Sequence, residues 1–273
     1  VGQNACVEVD GSAYWMSENG FFRYAGKLES LPCLVEDHVY DDINLESGNQ
    51  MVSAGLNNLF GEVIWFYPTS SSSVVNRMVA YNYFDSSPQR PVWTVGTLAR
   101  TMWRDSAIFG KPHALEYDAD TDTSFDVVGN TEGRTTYYEH ETGTDQVKGG
   151  TVTAITANIL SGDFDITQRI VGNQMTGIAD FRGDGEHLMK IRRFIPDFIS
   201  QTGDTRVTLN LRNFPSDTAS SSSLGPFTIT SSTSKVDTRA RARAIALKIE
   251  NTSTSQSWKL GTFRLDTQPD GRR

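Results

Sequence analysis

Cysteine is nearly missing from this chain: Cys6 and Cys33 are the two thiols in 273 residues. Both sit among apolar neighbours, without a CxxC pair or a Cys/His cluster at metal-ligand spacing. Neither a disulfide scaffold nor a zinc module is written here. Buried free thiols are the expectation, with a single disulfide as the alternative. Long apolar runs are also lacking. Residues 59–67 come closest and are cut by Gly61 and Glu62, well short of the roughly 18–20 residues a membrane helix needs. No basic-then-apolar leader opens the sequence. It starts at Val1 instead of Met, which reads as processing or as the C-terminal part of a longer polypeptide. Positive charge is in deficit: 25 Lys+Arg against 33 Asp+Glu leave a net of −8, which argues against a general nucleic-acid coat. With 37% hydrophobic and 10% aromatic residues, the chain is no disordered acidic polymer. Its length suits one large domain over 1–273, with a sub-boundary near 181–186.

Catalytic signatures are absent as well. His38, His113, His140 and His187 are far apart and make no HExxH pattern. No GxSxG elbow, phosphate loop or dinucleotide turn is present. Asp118-x-Asp120-x-Asp122 opens like a calcium loop, but Thr123 and Gly129 stand where that loop needs Gly and Glu. Asp163-Phe164-Asp165 sets two carboxylates on one face of a strand without a visible cleft. Arg182-Gly183-Asp184 belongs to a Gly183-Asp184-Gly185 turn. The expectation is a protein that is not an enzyme and takes no cofactor or metal.

What is present is β-structure. Asp10-Gly11 and Asn19-Gly20 favour tight hairpin turns, which predicts strands over 5–9, 12–16 and 21–25. Segments rich in Val, Ile, Thr, Tyr and Trp recur at 62–67, 77–84, 91–95, 113–117, 134–140, 151–159, 187–194, 206–211, 240–250 and 258–265. A short helix is expected within 36–45, and no longer stretch keeps a 3.6-residue apolar period. The class is all-β. Even spacing and aromatic-Gly recurrence suggest β-propeller-like blades of antiparallel strands with long loops, with a β-sandwich or jelly roll as the alternative. Ser/Thr tracts at 69–73, 218–223 and 228–234 read as loops or hairpin tips.

The net charge hides a division. Residues 1–181 carry 10 basic and 24 acidic side chains, net −14, whereas 182–273 carry 15 and 9, net +6. Such asymmetry suits a head-to-tail assembly, or it reflects two solvated faces. In Arg239-x-Arg241-x-Arg243 three guanidinium groups fall on one face of a strand, with Ala240, Ala242 and Ala244 on the other. That stripe reads as a subunit-interface or DNA-facing surface, or as a set of pairs with acidic residues of the same chain.

The C-terminal run from Arg239 through Trp258-Lys259-Leu260-Gly261, Phe263-Arg264-Leu265-Asp266 and Asp270-Gly271-Arg272-Arg273 resembles the tail nozzle, or packaged-DNA stabilisation, proteins of short-tailed bacteriophages. Glu62-Val63-Ile64-Trp65-Phe66-Tyr67-Pro68, Tyr81-Asn82-Tyr83, the run 93–101, Tyr138-Glu139-His140-Glu141-Thr142-Gly143 and Ile195-Pro196-Asp197 are similar too, and in the same order. The departure is Ala242, where the family pattern has glycine. The resemblance implies a propeller-containing virion protein that forms a homohexameric ring below the portal and adaptor rings. Such a ring extends the DNA channel, retains the genome and passes it on ejection. Tail fibres or a tail needle would be further partners, and the DNA would pass without sequence-specific binding. On this reading Arg239, Arg241, Arg243, Arg264, Arg272 and Arg273 are the interface or DNA-facing candidates. Asp118, Asp120, Asp122, Asp163 and Asp165 are the acidic lumen candidates. The alternative is a carbohydrate-binding host-attachment module, with Trp15, Trp65 and Trp103 as its candidate platforms.

Overall fold

The first turn shows how the chain's local chemistry becomes sheet. Asp10 and Gly11 take φ of 49° and 76°, positive at both central positions as a tight hairpin requires. They join β1 (Cys6–Val9) to β2 (Ser12–Ser17). In β2 every second residue, Ser12, Tyr14 and Met16, is buried, the period-2 signature of a strand with one face on a core. The next turn falls one residue earlier than Asn19-Gly20 suggests: Ser17 pairs with Gly20, which already belongs to β3 (Gly20–Tyr24).

The computed structural model describes residues 1–46, 48–106, 109–118, 134–166, 169–172, 179–182, 187–214 and 222–271. The chain divides into two compact units, Val1–Thr142 and Gly143–Arg273. In the first, β4 (Leu28–Leu31) completes a four-stranded antiparallel meander. Helix α1 (Glu36–Tyr40) is the short helix foreseen within 36–45. A second meander follows in β5 (Ser53–Asn57), β6 (Glu62–Tyr67), β7 (Arg77–Asn82) and β8 (Trp93–Gly96). A three-stranded sheet comes third, from β9 (Met102–Arg104), β10 (His113–Asp118) and β11 (Arg134–Glu139).

These three sheets stack face to face, and β6 is the strand between two cores. Val63, Trp65 and Tyr67 share a core with Met16 and Phe21 of the first meander. Phe21 lies 5.0 Å from Trp65 and 4.7 Å from Trp93 between ring centroids. On the opposite face Ile64 and Phe66 pack against Trp103 of β9, with the Phe66 and Trp103 rings 5.6 Å apart. Gly55 makes this approach feasible, because a Cβ there would sit 2.5 Å from the Trp103 ring. Trp65 is 0% exposed and gives its indole N–H to the Ala5 carbonyl at 3.0 Å. Trp103 gives its own to Leu56 at 2.9 Å. Trp65 is a core residue, Trp103 is half-buried against the second core, and Trp15 stacks on Phe22 at 5.7 Å, half-buried. Cys33 is half-buried, but Cys6 is exposed, contrary to the expectation of two buried thiols. It points away from the core side of β1.

The second unit begins with β12 (Asp145–Lys148), β13 (Thr151–Ala154), β14 (Ala157–Leu160), β15 (Arg169–Gly172) and β16 (Ala179–Arg182). It continues with β17 (Met189–Ile195), β18 (Phe198–Thr202), β19 (Thr205–Arg212) and β20 (Ser223–Ile229). Last come β21 (Val236–Ala242), β22 (Ala244–Asn251), β23 (Ser257–Leu260) and β24 (Arg264–Pro269). The sheet β14-β22-β19-β20 and the sheet β21-β17-β24 share one core. Met189, Ile191, Phe194, Ala240 and Ala242 meet Val207, Leu209, Ile245 and Ile249 there, which makes this unit a sandwich of two antiparallel sheets. The single strand expected over 240–250 is two strands. The chain bends at Arg243 and passes from one sheet to the other, and 151–159 likewise splits into β13 and β14. The whole is all-β, as expected. Residues 181–186, where the charge changes sign along the sequence, lie within the second unit, and 183–186 fall outside the described residues.

A buried cation closes the third sheet of the first unit. Arg100 is 3% exposed. Its Nε–H donates to His140 Nε2 at 2.9 Å and its Nη1 to Glu116 Oε2 at 3.0 Å. The guanidinium also lies 3.8 Å over the Tyr138 ring. An imidazole that accepts from Arg100 has to be neutral. Burial, with Arg100 and His113 adding repulsion, pushes the His140 pKa down to about 4. The unfolded chain takes up this proton near pH 6.5 and the folded one near pH 4. Stability is therefore lost as pH falls through that window, by about 3 kcal/mol for this group. Urea melts at pH 7.5 and 4.5 should show a difference smaller by that amount in His140→Gln, and an equal difference in both proteins would contradict it. For the core, Trp65→Ala should cost about 3–5 kcal/mol, while Trp15→Ala should cost under half as much in the same melts.

Candidate interaction surface

In β21 the alternation between faces is complete. Ala240 and Ala242 are 1% and 0% exposed, whereas Arg239 and Arg241 face solvent. Directly paired residues of an antiparallel sheet share a face, so the register assembles the rest. Lys190 of β17 stands opposite Arg241 on one side and Gln268 on the other. Arg193 stands between Asp237 and Asp266, and Arg264 opposite Ile195. A bulge between Ile191 and Arg193 keeps this outward row in phase.

The result is a charged outer face on the three-stranded sheet of the second unit. Lys190, Arg192, Arg193, Arg239, Arg241 and Arg264 contribute cations, and Asp237, Asp266 and Asp270 contribute carboxylates. Two arginines are paired. Arg193 Nε donates to Asp237 Oδ1 at 2.8 Å, and this hydrogen bond, with the Arg193 charge, draws the Asp237 carboxyl below its ordinary pKa. Arg241 holds the Asp270 carboxylate and reaches the Asp270 carbonyl at 3.3 Å. Arg239 and Arg264 have no carboxylate partner among the described residues. Arg239 borders a shallow depression of about 290 Å³ with Leu224, Phe227, Asp237 and Thr238. Lys190 facing Arg241 is a like-charge cross-strand pair, and such pairs favour an anionic partner.

The remaining sequence candidates have other settings. Arg243 does not continue the stripe. It occupies the bend between β21 and β22, half-buried, with its backbone N–H on the Arg212 carbonyl at 3.1 Å. Asp163 and Asp165 do flank Phe164, which bridges to Ile245 of β22. Asp163 is ion-paired with Arg212 at 3.1 Å. Asp118 ends β10 opposite Arg134 in the ladder. Asp120, Asp122, Arg272 and Arg273 lie outside the described residues. Lys190, Arg193 and Asp270 were not singled out from sequence. Their signal was the basic run 190–193, but its meaning depends on a register between segments about fifty and eighty residues apart.

Charge follows the structural units. Val1–Thr142 has 8 basic and 20 acidic residues, net −12, and Gly143–Arg273 has 17 and 13, net +4. No protein-family model and no curated protein sequence matches the chain.

Proposed function

We propose that this chain is a structural subunit of a short-tailed bacteriophage virion, a tail nozzle protein that assembles as a homohexameric ring. The ring lies below the adaptor, extends the DNA channel, retains the packaged genome and releases it on ejection. The observation that carries this reading is the basic face on β17, β21 and β24, with Arg239 and Arg264 unmatched by carboxylates among the described residues, in a chain whose other unit is strongly acidic. A face of one sign and a unit of the other suit contacts between neighbouring copies. The ordered sequence resemblance to nozzle proteins supports the same reading. So do the two successive four-stranded antiparallel meanders, the strand count of a propeller blade.

The physics of the channel is compatible. An acidic lining lets a polyanion slide, whereas a basic one would hold phosphates through counterion release. The acidic first unit is assigned to the channel and the arginines to protein contacts, so the subunit does structural rather than catalytic work.

Negative-stain imaging and light scattering of the purified chain test this directly, and six-fold rings are the expected result. Arg239→Glu with Arg241→Glu should raise the concentration needed for assembly at least about tenfold. Salt near 1 M, where the screening length is about 3 Å, should do likewise. Particles that stay monomeric at every concentration would refute the ring. Rings indifferent to both charge reversal and salt would refute the arginine contact.

A further inference from the structure

The outward face of the sheet β9-β10-β11 has no role in the reading above. Its register sets Arg104 and Glu139 on either side of His113, and Met102 and Tyr137 on either side of Leu115. Met102 and Tyr137 are 54% and 62% exposed. A flat face of this kind would suit another sheet, but this one is not flat. Phe109 stands edge-on against the His113 ring, at 4.9 Å and 75°, while Tyr137 lies nearly parallel to it at 5.3 Å and 20°. Together these side chains border a depression of about 230 Å³, with Ala114 buried beneath. That is the volume of roughly seven or eight waters of liquid, room for one substituted six-membered ring and not for an extended chain.

Arg104 and His113 are the nitrogen-bearing side chains at this depression. Tyr137 Oη is hydrogen-bonded to His113 Nδ1. In the tautomer with Nδ1 accepting from the phenol, the ring proton sits on Nε2 and is available to a ligand. Arg104 places its guanidinium 5.3 Å over the Phe109 ring and has no carboxylate partner among the described residues. The nearby acids are engaged: Glu139 by Lys111 Nζ at 3.3 Å and by the Thr142 hydroxyl at 2.7 Å, and Asp105 by Asn58. A matching ligand carries an anionic acceptor on a ring with an apolar face.

We infer that this is a binding site for an acidic sugar residue, a pyranose bearing a carboxylate. The carboxylate would meet Arg104 and the His113 Nε2–H, and the C–H face of the ring would lie on Tyr137 and Phe109. The site does not rest on the ring-assembly reading.

Titration of the full chain with glucuronic acid, glucose and acetate, followed by NMR, tests it. Glucuronic acid should bind in roughly the millimolar range and shift the Met102 methyl and the Tyr137 and His113 ring signals. Glucose and acetate should each bind at least about tenfold more weakly, since each lacks half of the recognition. Arg104→Gln and Tyr137→Ala, both at exposed positions, should each weaken glucuronic acid binding about tenfold with unchanged thermal melts. Acetate binding as tightly as glucuronic acid and unaffected by Tyr137→Ala would reduce the site to an anion contact and overturn the proposal. So would glucose binding as tightly as the acid, shifts confined to other residues, or no shift at about 50 mM.

Discussion

Strand β6 sets the terms for the first unit because it is buried on both faces. A strand with one wet face alternates, whereas one between two cores must be apolar almost throughout. Val63-Ile64-Trp65-Phe66-Tyr67 meets that demand, all five buried. Odd and even positions serve different neighbours: Trp65 reaches Phe21, and Phe66 reaches Trp103. The stack of three sheets therefore depends on one five-residue run. The indole N–H groups of Trp65 and Trp103 are both satisfied by backbone carbonyls, so neither leaves an unpaired donor in the interior.

The same packing explains where surface chemistry is available. Once one face of the third sheet is used by Trp103, Ala114 and Tyr138, period 2 turns Met102, Arg104, His113 and Tyr137 outward. In the second unit, Met189, Ile191, Ala240 and Ala242 face the sandwich core and turn Lys190 and Arg241 to solvent. Both candidate surfaces are thus the outer faces of three-stranded sheets whose inner faces are fixed by cores. Lys190 and Arg241 are presented by the strands themselves, so no loop has to order to hold them.

Local features could be read from the chain because local chemistry determines them. The Asp10-Gly11 turn, the short helix at 36–40, the β6 boundaries and the Arg/Ala alternation all follow from two to six adjacent residues. The turn after β2 was misplaced by one position because Gly20 takes its positive φ as the first strand residue instead of inside the turn. What sequence could not supply was register. Nothing within 236–242 says that Lys190 lies opposite Arg241 or that Asp270 is within reach. Nor does alternation reveal that the run 236–251 crosses between sheets at Arg243, since both halves carry strand-like composition. The aromatic depression was equally hidden. Tyr137 and Tyr138 are adjacent and chemically alike, and only the identity of the inner face decides which becomes surface.

The arginine stripe also shows how a motif differs from a site. Small residues at 240 and 242 face a core crowded by Ile191, Phe194 and Leu209, and packing alone accounts for them. Arginine at the alternate positions then needs no more explanation than solubility, and Arg241, held by Asp270, behaves as an ordinary surface pair of small energetic weight. Arg239 and Arg264 differ in lacking such a partner among the described residues, on a face that already sets Lys190 opposite Arg241. Repulsion of that kind is tolerated in solvent, but it is relieved when a surface of opposite sign covers it. Lys190, Arg239 and Arg264 are thus the cations of this face that a covering acidic surface would satisfy, and the three-arginine spacing by itself adds little. Arg243, third in that spacing, belongs to the corner that joins the two sheets.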